Sequence, residues 1–131
     1  MPNLGEQEWS DLSRSAWEGH SRARVLGRTS VGAAVLSDSR RIHIGCNVEH
    51  KFRSHDVHAE VNALTNMLAA GDSRAIAVLV VSERERFTPC GACLDWIFEL
   101  GGADTLVGFQ DGSDSEPQIY RADELMPFYP R

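Results

Sequence analysis

The sequence has no apolar stretch as long as a membrane-spanning helix requires, although it runs to 131 residues. Its first residues, 1–7, are polar and acidic, without the basic patch and apolar run of a secretory signal. It also has no internal repeat, low-complexity tract or flexible linker. These absences favour one compact domain over residues 1–131, and we expect it to be cytoplasmic and to have no membrane partner.

An excess of positive charge is also missing. The chain has 13 lysines and arginines against 19 aspartates and glutamates, which gives a net charge of -6. Proteins that bind nucleic acid neutralise phosphates and are usually basic. The charge therefore disfavours a polynucleotide partner and favours a small-molecule substrate.

Cysteine is scarce, with three residues in the whole chain. An odd number does not suggest a disulfide framework, and a domain of this size buries enough surface to do without one. Cys90 and Cys93 form a Cys-X-X-Cys pair, which is typical of metal or redox chemistry in a cytosolic protein. Cys46 lies between apolar neighbours and is predicted to be a core residue.

Hydrophobic periodicity divides the chain into helices and strands. Apolar residues at spacings of three and four predict core helices, and the near-continuous apolar run at 75–82 predicts a strand covered on both faces. The alternation of these elements predicts a three-layer α/β sandwich. The predicted helices are 7–26, 58–70, 91–100 and 121–125, and the predicted strands are 30–36, 41–48, 75–82, 105–109 and 118–120.

Two short motifs carry the chemistry: His-Ala-Glu at 58–60 and Pro-Cys-Gly-Ala-Cys at 89–93. Each precedes or begins a predicted core helix. Two cysteines three residues apart share one helix face and can hold a single ion. One imidazole and two thiolates leave the fourth tetrahedral position of a zinc ion open, as in catalytic zinc sites.

His58, Cys90 and Cys93 are therefore the candidate zinc ligands, and Glu60 is the candidate proton carrier. The alternatives for the cysteines are a structural zinc or a redox pair. For Glu60 the alternative is a carboxylate that only stabilises a helix N-terminus. The two motifs in this order match the signature of zinc-dependent nucleobase deaminases, which favours the catalytic interpretation.

On these residues the sequence resembles the cytidine deaminase superfamily, and most of all its cytidine deaminase and blasticidin-S deaminase branch. The resemblance extends from about residue 31 to 130 and includes Val-Gly-Ala-Ala at 31–34, Gly-Cys-Asn-Val-Glu at 45–49 and Leu-Met-Pro at 125–127. It implies an α-β-α sandwich with a central five-stranded mixed sheet. It also implies one Zn²⁺ per subunit and a homo-oligomer, a tetramer or a dimer.

The resemblance implies further substrate-binding residues. Asn47 and Glu49 match the family's positions that bind the ribose hydroxyl, and the backbone near Ala59 and Pro89 matches the part that holds the base edge. In the resembling family, the region of Phe128 reaches a neighbouring active site, which makes it a further candidate.

Several positions depart from the family pattern. Thr29 and the serine after it replace a Phe-Pro pair, so the aromatic wall against the base is absent or supplied elsewhere. His50 stands where cytidine deaminases usually have asparagine, which is similar to the blasticidin-S group. His58 and Val61 replace a cysteine and an arginine, and this pair of changes leaves the zinc cluster neutral.

The expected activity is the hydrolytic deamination of a cytosine-containing nucleoside or nucleoside analogue. A second hypothesis keeps the chemistry but takes an aminonucleoside antibiotic of the blasticidin-S type as substrate. A third is a catalytically idle, zinc-stabilised oligomeric scaffold. Polynucleotide editing is disfavoured by the acidic balance of the chain.

Overall fold

A computed structural model describes residues 4–84 and 88–130. The five strands form one sheet in the order β2-β1-β3-β4-β5. Only β3 and β4 are parallel, whereas all other neighbours are antiparallel, so the sheet is mixed as expected. The helices are α1 (Glu6–His20), α2 (Ala59–Ala69), α3 (Gly91–Gly101) and α4 (Ala122–Leu125), and the strands are β1 (Gly32–Ser37), β2 (Ile42–Cys46), β3 (Ala75–Val81), β4 (Leu106–Gln110) and β5 (Gln118–Arg121).

Side chains alternate between the two faces of the central strands and build two cores. Val78 and Val80 of β3 face α2 and α3, whereas Leu79 and Val81 face α1. All four are fully buried, which explains the near-continuous apolar run in the sequence. The predicted three-layer sandwich is confirmed, with α1 on one face of the sheet and the other helices on the opposite face.

The first helix is shorter than its sequence predicts. It begins after Gly5, whose N–H donates to the Glu8 carboxylate (3.2 Å), and ends at His20 rather than at residue 26. Beyond it the chain turns at residues 21–22, and Arg24 forms an isolated bridge with the segment that follows β2. The Arg24 N–H donates to the Asn47 carbonyl (3.0 Å), and the Glu49 N–H donates to the Arg24 carbonyl (2.8 Å).

The other predicted elements are observed within about two residues of their expected bounds. Cys46, predicted to be a core residue, is half-buried at the end of β2, where its N–H donates to Asn62 Oδ1 (3.0 Å). Burial raises the pKa of its thiol. Within residues 4–84 and 88–130, no helix has the length and apolar character needed to cross a membrane.

Candidate active site

Strand register explains why the two motifs meet. Gly32, the first residue of β1, lies opposite Cys46 at the end of β2 and also opposite Val81 at the end of β3. The connections that leave β2 and β3 therefore start at the same end of the sheet. Since these connections lead into α2 and α3, both helices begin there.

The candidate zinc ligands occupy the first positions of the two helices. His58 is the N-cap of α2 and Cys90 is the N-cap of α3, both with extended backbone, and Cys93 lies in the first turn of α3. His58 and Cys90 are exposed, whereas Cys93 is fully buried. The candidate ligand Cys93 therefore lies in the core, whereas His58 and Cys90 lie on the solvent-exposed side of the site.

The three donor atoms fit a zinc ion. His58 Nδ1 lies 3.5 Å from Cys90 Sγ and 3.4 Å from Cys93 Sγ, and all three donor atoms lie within 4.8 Å of one another. Tetrahedral coordination with ordinary zinc bond lengths places a nitrogen and a sulfur ligand about 3.6 Å apart. Among the described residues, this is the only group of three or more potential metal ligands that converges in this way.

Glu60 lies in the first turn of α2 and is 3% exposed. Burial raises the pKa of its carboxyl group, because a charged carboxylate loses hydration there, while the nearby His58 opposes this effect. Burial and the Glu60 carboxylate in turn raise the pKa of the Cys93 thiol. A Zn²⁺ ion held by this group would instead favour the Cys93 thiolate, because a coordinating thiol is deprotonated.

A cavity of about 360 Å³ opens beside these residues. His58, Glu60 and Cys90 line it together with three of the expected substrate-binding residues, so one open space reaches both the candidate proton carrier and two of the three candidate ligands. The remaining lining residues come from the strand ends and loops around the site. The complete lining is Thr29, Val31, Asn47, Arg53, His58, Ala59, Glu60, Arg84, Thr88 and Cys90.

The Asn47 side chain is buried and fixes the wall of this cavity. Its Oδ1 accepts from the Val31 N–H (2.8 Å), and its Nδ2 donates to the Thr29 carbonyl (2.9 Å). Nδ2 also lies 3.4 Å from Glu49 Oε2. Asn47 therefore fixes the chain segment that enters β1 to the segment that follows β2.

The Glu49 carboxylate is buried just behind this wall. Its Oε1 accepts from the N–H groups of Leu26 and Gly27 (2.7 Å each), and these bonds lower the pKa of the carboxyl. Its Oε2 lies 3.5 Å from the Arg53 guanidinium. Glu49 is therefore a charged group near the site, and most of its hydrogen-bonding capacity is used by the loop that contains Leu26 and Gly27.

The other expected substrate residues lie around the site rather than in the cavity lining. Pro89 is buried directly before Cys90. His50 is half-buried in the loop after β2, where its Nδ1 accepts from the Phe52 N–H (2.9 Å). Phe128 is 94% exposed and borders a separate groove near the start of α3.

Sequence reasoning missed four lining residues: Val31, Arg53, Arg84 and Thr88. The basic character of the loop that contains Arg53 was the one signal available. In the sequence Val31 has the pattern of an ordinary strand residue, and its place at the cavity follows from its hydrogen bonds to Asn47 just before β1.

Fold and site together define a class: an α-β-α sandwich in which a His-Cys-Cys group that fits a zinc ion lies beside a buried carboxylate. The family model for the cytidine and deoxycytidylate deaminase zinc-binding region matches residues 7–109. The chain belongs to this family. It is accordingly a hydrolase that acts on an exocyclic C–N bond.

Individual relatives agree with this assignment. The chain is similar to the cytidine deaminase of Mycobacterium tuberculosis, with 31% identity over 109 residues, 82% of this chain and 80% of the relative. It is 33% identical over 101 residues to the cytidine deaminase of Halalkalibacterium halodurans, covering 76% of each.

Among solved structures, cytidine deaminase from Burkholderia pseudomallei superposes with a TM-score of 0.83 at 27% identity, over 95% of this chain and 98% of that one. The structure of the Mycobacterium tuberculosis enzyme gives a TM-score of 0.78 at 29% identity, over 92% and 94%. The expected fold is therefore confirmed.

Proposed function

We propose that this enzyme hydrolyses the exocyclic amino group of a cytosine-containing nucleoside or nucleoside analogue, as cytidine to uridine and ammonia. One observation carries the proposal. A carboxylate that is 3% exposed lies in the same cavity as two of three converging donor atoms that fit a zinc ion. A purely structural zinc centre needs only its ligands, so it does not require a buried carboxylate beside them.

His58, Cys90 and Cys93 would hold one Zn²⁺ per subunit, since they supply one nitrogen and two sulfur donors at fitting distances. When bound, zinc supplies a Lewis acid that lowers the pKa of its coordinated water to about 7. Because these residues would supply only three ligands, the site would keep access for water, as catalytic zinc sites do.

Glu60 would move the protons of the reaction. Its carboxylate takes one proton from the attacking water and delivers it to the ring nitrogen next to the reacting carbon. A second transfer reaches the amino group, which leaves as ammonia when its bond to the ring carbon breaks. The water oxygen remains on the ring as the new carbonyl, so one water is consumed for each ammonia released.

The cavity lining supports a nucleoside-sized substrate. Its volume of about 360 Å³ lies within the common range of small-molecule sites, about 300–1,000 Å³. We propose that the backbone at Ala59 and Pro89 holds the base edge and that Asn47 faces the sugar, with Thr29 and His50 at its border. Glu49 lies outside the cavity lining and would act on the sugar through Asn47, whose Nδ2 lies 3.4 Å from Glu49 Oε2. Since Asn47 also holds the Thr29 carbonyl, it would act partly by shaping the wall.

A substrate with a modified sugar, as in the blasticidin-S hypothesis, has one supporting observation. Thr29 is a small residue at the cavity border, and beyond it a second recess of about 260 Å³ begins. A larger substituent than ribose can enter there.

We further propose a homo-oligomer. Phe128, beside the start of α3, is 94% exposed, and Trp96, in the middle of α3, is 42% exposed. Association would remove both side chains from water. A catalytically idle scaffold would share this surface but would not need Glu60 in the cavity.

The variant Glu60→Gln separates an enzyme from a scaffold. It keeps the size of the side chain and leaves the three candidate ligands intact, so zinc content stays at the wild-type level. Turnover of cytosine nucleosides falls by about 100- to 10,000-fold, because the proton carrier is lost.

The assay follows loss of the amino-pyrimidine ultraviolet band, with zinc measured on the same samples. Glu18→Gln, an exposed carboxylate on α1 that pairs with Arg22, is the matched control and keeps full activity. Undiminished turnover in Glu60→Gln would rule out its assigned role.

A further inference from the structure

The first turn of α3 holds two of the three candidate zinc ligands, Cys90 and Cys93. Cys90 is exposed, and within the described part of the chain its side chain makes no capping hydrogen bond to the helix. The first N–H groups of a helix have no partner inside the helix, so a first turn opens readily unless other groups hold it. The position of Cys90 relative to the other two ligands therefore depends on contacts from outside α3.

The segment after α4, residues 126–130, supplies such contacts, and we call it the strap. It lies along one stripe of α3, which Gly91, Asp95 and Phe98 form at spacings of four and three residues. Met126 packs over Gly91, since a Cβ on this glycine would lie 4.0 Å from Met126 Cε. The strap therefore covers α3 from its first residue onward.

Tyr129 attaches the strap to α3 by two contacts. Its ring stacks on Phe98, with the ring centroids 4.2 Å apart and an angle of 11° between the planes. Its hydroxyl donates to Asp95 Oδ1. Phe98 is buried in the core, and a hydrogen bond to an ionised carboxylate is stronger than one between neutral groups. The stack thus joins the strap to the core, and the hydrogen bond joins it to α3 two residues beyond Cys93.

Backbone hydrogen bonds give the strap a defined shape. The Met126 N–H donates to the Ala122 carbonyl (3.0 Å), and the Tyr129 N–H donates to the Met126 carbonyl (3.3 Å). Phe128, which lies between these two residues, is 94% exposed, so the contact with α3 comes mainly from Met126 and Tyr129. Removal of the Tyr129 hydroxyl alone leaves this backbone turn and the ring stack in place.

We propose that the hydrogen bond between Tyr129 and Asp95 is a clasp that holds the strap against α3, and that Tyr129 is a positioning residue for the zinc-binding turn. Without the clasp, the stack alone holds the strap, and Cys90 can move away from His58 and Cys93. This inference rests on the zinc ligands of the proposed function. It adds to them a residue that does not touch the metal or the substrate.

The test is the zinc affinity of Tyr129→Phe, which keeps the stacking ring and removes the hydroxyl. We expect its zinc dissociation constant, measured by competition with a chromogenic chelator, to rise by about tenfold or more, as when other groups that orient metal ligands are removed. The Co²⁺-loaded variant loses part of the absorption of tetrahedral cobalt. At saturating zinc, kcat falls by about tenfold while KM changes little.

These readouts separate positioning from stability. A variant that is less stable but still folded at the assay temperature keeps the wild-type zinc dissociation constant and cobalt spectrum. Tyr120→Phe is the matched control, because it removes a tyrosine hydroxyl on β5 that bonds to Gln118 (3.4 Å). We expect this control to keep wild-type zinc affinity and turnover.

Variants of the acceptor test the hydrogen bond itself. Asp95→Asn keeps an oxygen that accepts from the Tyr129 hydroxyl and therefore retains most of the zinc affinity. Asp95→Ala loses as much affinity as Tyr129→Phe, and it serves in its place if that variant does not fold. The double variant loses no more than either single variant, because the same hydrogen bond is removed in all three.

Wild-type zinc affinity and an unchanged cobalt spectrum in folded Tyr129→Phe would overturn the inference, and so would an equal loss in Tyr120→Phe. Zinc affinity and the cobalt spectrum need no turnover, so they test the clasp apart from the reaction. If the wild-type protein binds zinc but deaminates no cytosine nucleoside, the proposed function is wrong, whereas a raised dissociation constant in Tyr129→Phe still supports the clasp.

Discussion

Gly45 lets β2 lie directly against the helix that carries the active site. A Cβ at this position would lie 2.3 Å from the Ala63 nitrogen and 2.5 Å from the Ala59 carbonyl oxygen. Both atoms belong to the backbone of α2, which cannot rotate away as a side chain can. Since ordinary Cβ contacts begin near 3.4 Å, the variant Gly45→Ala must move α2 and β2 apart by about 1 Å.

Two opposing effects set the stability of this variant. Replacing a strand glycine by alanine removes conformational entropy from the unfolded chain and stabilises the fold by about 0.5–1 kcal/mol. Overpacking a dense interface costs about 1–3 kcal/mol. We therefore expect a net loss of about 1–2 kcal/mol in the free energy of unfolding.

The same displacement reaches the active site, because His58 and Glu60 lie at the start of α2. A shift near 1 Å in a catalytic group lowers activity by up to about 100-fold. We expect Gly45→Ala to lose at least about tenfold in kcat/KM while remaining folded.

Urea unfolding and nucleoside turnover measure the two effects on the same preparation. Gly5→Ala is the control, because a Cβ there meets nothing within 4 Å. Its unfolding free energy changes by less than about 1 kcal/mol and its activity stays the same. A Gly45→Ala protein as stable and as active as the wild type would refute the packing argument.

The remaining predictions concern the far end of the sheet and the metal centre. The pKa of Asp72 lies well below its usual value of 3.8, because the carboxylate accepts hydrogen bonds from Arg41, His43 and a serine hydroxyl. Its ionised form therefore stabilises the fold above pH 3.8. This stabilisation is lost as the pH falls towards the folded-state pKa. Asp72→Asn therefore lowers the urea midpoint at neutral pH, and its difference from the wild type shrinks below pH 3.8; a pH-independent difference would contradict this. Cys93→Ala lowers zinc affinity by more than about 100-fold, whereas Cys46→Ala keeps wild-type zinc content, as measured by metal analysis after dialysis; equal zinc in both variants would contradict the ligand assignment.

The sequence predicted those parts of the fold in which local pattern and tertiary environment agree. The apolar run of β3 is buried on both faces, as its sequence predicts. Because α2 and α3 begin at the two motifs, the sequence pattern that predicted these helices also located the candidate ligands at their first residues. The convergence of His58 with Cys90 follows from strand register, which the spacing of residues does not reveal. The family resemblance supplied that step.

Features that depend on long-range hydrogen bonds were not predictable in the same way. The end of α1 at His20 is set by the pairing of Arg24 with the chain after β2. The dual role of Asn47, which faces the cavity and fixes Thr29, is visible only when the two loops lie side by side. The place of Arg84 at the junction of two recesses likewise depends on the folded path of the loops.

The most direct test of zinc-dependent deamination is a zinc titration of the metal-stripped protein with a cytosine nucleoside present. Loss of the amino-pyrimidine ultraviolet band and release of ammonia are recorded together at each zinc concentration. We expect both rates to rise from background in equal proportion and to level off at one zinc per chain. Turnover that is independent of zinc, or the absence of turnover with zinc fully bound to the folded protein, would contradict the proposed function.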